Sequence, residues 1–92
     1  MSTWRDIMEA AEAVKITMLS DRSAGEKKFE LLLQLHPRDG MVYFKRGEAY
    51  EAIGENARAA GDFRHAMALF PMAYWKRLAE EALERVSHPS AG

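Results

Sequence analysis

The sequence predicts an all-α protein, an antiparallel stack of two helix hairpins closed by a C-terminal capping helix. Three observations carry that expectation. Tyr43, Gly47 and Tyr50 set an aromatic ring, a residue without a side chain and a second ring on one helical stripe, where the glycine lets a neighbouring helix come close. Ala59, Phe63 and Ala66 form a small-large-small stripe on a following helix, after Gly54-Glu55-Asn56 has broken the first and before Pro71, which no helix interior tolerates. Pro37 and Pro71 lie 34 residues apart, as do Phe29 and Phe63, so the second helix of one hairpin recurs as the second helix of the next.

Element by element, Thr3 with Asp6 makes a capping pair that starts a helix at Trp4, carrying Ile7, Met8, Ala11, Val14 and Met18 on one face to about Leu19. Ser20-Asp21-Arg22 reads as a turn. Ser23-Ala24-Gly25-Glu26 reads as a second capping box, and Phe29, Leu32, Leu33 and Leu35 as the apolar stripe of the helix it opens, which Pro37 stops. Asp39-Gly40 opens a third helix that runs to about Ile53, and Asn56 is expected to cap a fourth that ends near Phe70. From Met72 onward Trp75, Leu78, Ala79, Ala82 and Val86 share one stripe among charged residues, which suits a solubilising cap. One domain over residues 4–87 follows: a first repeat at about 4–37, a second at about 40–71 and the cap at about 72–87, with 88–92 as a flexible tail.

The register of the first helix has two solutions. A strict repeat would set Glu9 and Glu12 where Tyr43 and Arg46 stand, and an unpaired buried carboxylate costs several kcal/mol. A two-residue slip, absorbed by a longer loop near Leu19-Ser20, sets Ile7, Ala10, Ala11 and Val14 on the stripe and matches Ala11 to Gly47; it is the favoured register.

Read as Y-x-x-R-G-x-x-Y followed by A-x-x-x-F-x-x-A-x-x-x-x-P, residues 43–71 resemble a tetratricopeptide repeat, with Tyr43 standing for the family's tryptophan. Arg46 departs from the pattern, which prefers leucine there. The resemblance implies a TPR-like superhelix and a non-catalytic scaffold that binds a peptide or helical segment of another protein in its concave face. Carried over by register, that face includes Arg5, Met8, Glu9, Glu12 and Lys15 from the first helix and Met41, Phe44, Lys45, Glu48 and Glu51 from the third, closed by Trp75, Leu78 and Ala79. Phe44, Met41 and Trp75 are the expected anchors; the alternative is that these apolar groups pack beneath the cap. Lys45 alone matches the carboxylate-gripping positions of the co-chaperone branch, so a chaperone-tail ligand is disfavoured.

Composition narrows the classes. Thirteen basic and fourteen acidic residues give a formal charge of −1, without the basic field that a nucleic-acid partner calls for. No apolar run is long enough for a membrane span, and the N-terminus has no secretion-signal pattern, so a cytoplasmic location is expected. The chain has no cysteine, which removes disulfides and thiolate chemistry. Neither a metal site nor a cofactor is expected: His36, His65 and His88 are scattered, and Asp62 with His65 reads as a solvated surface pair. A small enzyme or ligand-binding bundle is thus the weakest class. The stronger competitor is a structural homo-oligomer, since two repeats leave end surfaces uncovered.

Overall fold

The computed structural model describes residues 3–88, in five helices: α1 (Trp4–Ser20), α2 (Arg22–Leu35), α3 (Gly40–Ala52), α4 (Asn56–Leu69) and α5 (Ala73–Ser87). Thr3 opens α1 with a reciprocal box, its hydroxyl accepting from the Asp6 N–H while the Asp6 carboxylate accepts from the Thr3 N–H. Gly54, at φ 86°, ends α3: its N–H bonds the Glu51 carbonyl and the Glu55 N–H bonds that of Tyr50, a Schellman arrangement that a residue with a Cβ enters only with strain.

Two caps differ from the sequence reading. Asp21, not Ser23, caps α2, its carboxylate accepting from the Ala24 N–H, while its own N–H closes α1 on the Thr17 carbonyl. One residue therefore connects the two helices, and the longer loop does not exist. The extra residues are helical, α1 having 17 against 13 in α3. Asn56 is the first residue of α4 rather than its cap. Glu55 holds the cap position without a side-chain cap bond, because its carboxylate is drawn to Arg22 and Arg58 instead. The favoured register of α1 fits Ala11, which is fully buried, and Ile7 and Val14, which are half-buried; Ala10 is exposed, as is Glu9.

Helices pack in chain order: α1 against α2 and α3, α3 against α4, and α4 against α5. Phe29, Phe63, Met18, Met41 and Val42 are the largest fully buried side chains, and Ala11, Ala49, Ala59, Ala66 and Ala79 sit where helices come close. A Cβ on Gly47 would stand 2.7 Å from Cε1 of the Phe63 ring, so this crossing requires glycine. Gly25 plays the same part in the first hairpin, where a Cβ would overlap the Cα and Cβ of Met18. It precedes Ala59 by 34 residues, a recurrence the capping-box reading of Ser23 to Glu26 hid.

Two further expectations change. Leu35 is 71% exposed and lies off the buried stripe of α2. And α5 lies on the second helix of the preceding hairpin, α4, whereas α3 meets its own preceding hairpin chiefly through the first helix, α1, so successive odd-numbered helices do not repeat one placement. What is established is a five-helix protein packed in sequence, 45 × 32 × 16 Å across its Cα atoms. None of the described helices is long and apolar enough to cross a membrane. Of the expected tail, residues 89–92 lie outside the described residues; the His88 N–H closes α5 on the Glu84 carbonyl.

Candidate functional site

Met41 and Phe44 are core residues, which corrects their assignment as anchors on an open face. Met41 is fully buried and Phe44 is 6% exposed. The Phe44 ring sits 5.6 Å from Phe63, 5.9 Å from Phe70 and 6.1 Å from Trp75, centroid to centroid, so both α4 and α5 cover it. The alternative reading, packing beneath the cap, describes these two residues. Trp75 and Leu78 remain half-buried and Ala79 is fully buried, while Trp4 reaches across to meet Trp75 edge-on at 5.5 Å.

Charged residues of the expected inner face are committed to one another. Glu12 and Lys15 on α1 and Lys45 and Glu48 on α3 close a ring of alternating sign: Lys45 to Glu12 at 2.7 Å, Lys15 to Glu12 at 3.1 Å, and each lysine to Glu48 at 3.3 Å. The hydrogen bond from Lys45, with help from Lys15, holds the Glu12 carboxyl below its ordinary range. Burial alone would lower the Lys45 ammonium, but Glu12 and Glu48 outweigh it and raise the group. Glu51 takes Arg85 of α5 at 2.6 and 2.8 Å. Met8, Glu9, Glu12 and Lys45 line the recess left open on this face, about 250 Å³.

On the opposite flank of α3 the expected Asp62–His65 pair does not form. Asp62 is buried and accepts two hydrogen bonds from Arg46, the residue that breaks the repeat pattern, while His65 stacks on Tyr43 at 4.7 Å and faces the Gly61 carbonyl through Nδ1. Tyr43 is half-buried under the Arg46 guanidinium at 5.7 Å. Tyr50 is buried, as expected, and its hydroxyl donates to Glu26 at 2.7 Å. That bond holds the Glu26 carboxyl below its ordinary range, with Arg22 adding to the effect.

A larger recess lies elsewhere, at the end of the molecule where α2 and α4 finish. Pro37 and Pro71 stop those helices, and the two connections that follow enclose a groove of about 480 Å³ lined by Trp4, His36, Pro37, Arg38, Asp39, Gly40, Leu69, Phe70, Pro71 and Met72. Gly40 keeps this end compact, since a Cβ there would press on the Phe70 ring at 3.1 Å. The Asp39 carboxylate is turned to the start of α3, accepting from the Met41 N–H at 2.8 Å. Trp4 and Met72 are exposed beside the groove, and Tyr74 projects nearby with its ring edge-on to Trp75. The sequence showed both prolines as helix stops; nothing in their spacing said that the two turns would face each other.

Among the described residues no group of three or more histidines and carboxylates is placed to hold a metal ion. No family model, curated protein or solved structure matches the chain.

Proposed function

We propose that the chain is a non-catalytic protein-interaction module, two tetratricopeptide-like repeats and a capping helix, that holds a segment of a partner protein. The observation that carries this reading is the groove between the Pro37 and Pro71 turns. Its walls are largely apolar and fixed by helix ends, its volume falls in the range of about 300 to 1,000 Å³ common to ligand sites, and Trp4 and Met72 border it with side chains that anchor interfaces well. The repeat is supported by the 34-residue recurrence of Gly25/Ala59, Phe29/Phe63 and Pro37/Pro71. A non-catalytic role is supported by the commitment of Glu12, Glu48 and Asp62 to lysine and arginine partners, which leaves them ill-suited as general bases. Selection from a displayed library of random peptides tests the reading. A consensus sequence should emerge against the folded protein; its failure to emerge, where a known peptide-binding domain run in parallel yields one, would sink the proposal.

A second reading, a homo-oligomer joined through the first hairpin, is favoured by Leu31 and Leu35, which are 58% and 71% exposed on α2, while α5 covers α4 at the other end. Sedimentation over a wide concentration range decides it. A monomer throughout removes this reading; a dimer abolished by Leu31→Glu with Leu35→Glu supports it.

A further inference from the structure

Apolar walls alone would accept many segments, but the groove at the Pro37 and Pro71 turns carries an asymmetry of charge. Its rim has one acidic and one permanently cationic side chain, adjacent in sequence. Asp39 is spoken for, because its carboxylate caps α3 through the Met41 N–H at 2.8 Å. Arg38 is exposed and makes no ion pair with any described residue. A ligand in the groove therefore meets an exposed guanidinium, while the Asp39 carboxylate keeps its charge but is half-buried with one oxygen turned to the start of α3. The inner face offers the contrary case, its lysines already closed on Glu12 and Glu48.

Resting on the protein-interaction reading, we propose that this groove binds an extended acidic-apolar segment of a partner protein, with an apolar side chain seated between Pro37, Pro71 and Met72 and a flanking carboxylate on Arg38. The chemistry is that of a planar, always-charged fork meeting a carboxylate at the edge of an apolar recess, where partial exclusion of water strengthens the contact. Trp4 supplies a flat wall on the α1 side, fixed by its edge contact with Trp75. Because Trp4 and Met72 already stand exposed, the segment buries surface without first prising the core apart.

Three blocked peptides titrated into isotope-labelled protein test the idea by NMR: a Leu-Phe core flanked by aspartates, the same core flanked by lysines, and an aspartate-flanked Ser-Ser core. The first should bind about tenfold more tightly than either of the others, since a single charge contact or a single seated side chain is of that order. Its shifts should gather at the Trp4 indole N–H and the backbone amides of Gly40 and Met72. Arg38→Glu should reverse the preference between aspartate and lysine flanks, and Met72→Ser should weaken the aspartate-flanked Leu-Phe peptide about tenfold with no change in melting temperature. Equal affinity for aspartate and lysine flanks, or no binding by any of the three, overturns the inference. Saturable shifts at Met8 and Lys45 instead would overturn this site while leaving the protein-interaction reading in place; only the failed library selection removes that reading.

Discussion

Arg46 on α3 grips Asp62 on α4 with two parallel hydrogen bonds, from Nε at 2.8 Å and from a terminal nitrogen at 2.7 Å, at a point where Asp62 is 4% exposed. The Tyr43 and Tyr50 rings flank the guanidinium at 5.7 and 6.0 Å. The Asp62 hydrogen bond is what chiefly raises the Arg46 guanidinium above its ordinary range. A buried pair of this kind often contributes little net stability, because desolvation offsets the attraction, yet removing one member strands the other.

Arg46→Leu, which restores the leucine of the resembled family, should therefore destabilise the protein by about 3 kcal/mol, because Asp62 loses its partner. Arg46→Leu combined with Asp62→Leu should recover most of that loss. Urea denaturation of both single variants and the double variant closes the cycle. If the double variant is as unstable as the sum of the singles, the pair does not act as a unit.

Glycine positions separate contact from propensity. Gly47→Leu must push into the Phe63 ring, and about 1 to 3 kcal/mol of destabilisation or more is expected from overpacking. Gly61, in the interior of α4, has open space where its Cβ would project. Gly61→Ala should stabilise the chain by about 0.5 to 1 kcal/mol through helix propensity alone. Thermal melts of the two should move in opposite directions; a shift of the same sign in both would mean that the α3–α4 crossing is not as close as described.

Truncating Phe44 tests the correction to the inner face. Phe44→Ala removes a ring enclosed by Phe63, Phe70 and Trp75 and should cost about 3 to 5 kcal/mol, at least as much as Tyr50→Ala. Equilibrium denaturation measures both. A Phe44→Ala protein as stable as wild type would return that ring to the surface.

Acid should weaken the fold through Glu12 and Glu26. Lysine partners lower the folded-state value of Glu12, and the Tyr50 hydroxyl with Arg22 lowers that of Glu26, both from an ordinary 4.5. The unfolded chain then binds more protons than the folded one between the lowered and ordinary values. Their contribution is complete above the unfolded value and disappears as pH falls through the folded values. Both side chains are partly exposed, so screening keeps the effect modest. Comparing wild type with the Glu12→Gln, Glu26→Gln double variant, the wild-type advantage in melting temperature should shrink as pH falls through and below the ordinary 4.5; an advantage that grows on acidification contradicts the assignment.

The helices were legible because each carries its own signal: the Thr3–Asp6 box, the Tyr43-Gly47-Tyr50 stripe and the two proline stops. Met41 and Phe44 escape the local pattern, because it marks one buried stripe on α3 and leaves the other flank open. It is the central helix, bordered by α1 and α4 and overlapped at one end by Trp75, so that Met41, Val42, Phe44, Ala49 and Tyr50 are all buried. Where α5 would fall decides how many sides of α3 are covered, and no local pattern fixes that. The Arg46–Asp62 bond is hidden for a similar reason, its two ends lying on different helices, each with a ready local explanation as surface charge. The groove at the proline turns is harder still, since it belongs to no single element and exists only because two helix ends arrive side by side.

The four charges between α1 and α3 also act as a vernier. Glu12 meets Lys45 and Lys15 meets Glu48, both across 33 positions of sequence. Slide α1 by three residues one way and Lys15 faces Lys45; slide it the other way and Glu12 faces Glu48. Apolar side chains alone tolerate such a shift, since methionine and alanine repack readily, but like charges brought together in a half-buried seam repel. The ring therefore proofreads alignment: its worth lies less in holding the two helices together than in making the neighbouring alignments unfavourable, so that a short stack with few contacts to spare still settles on one register.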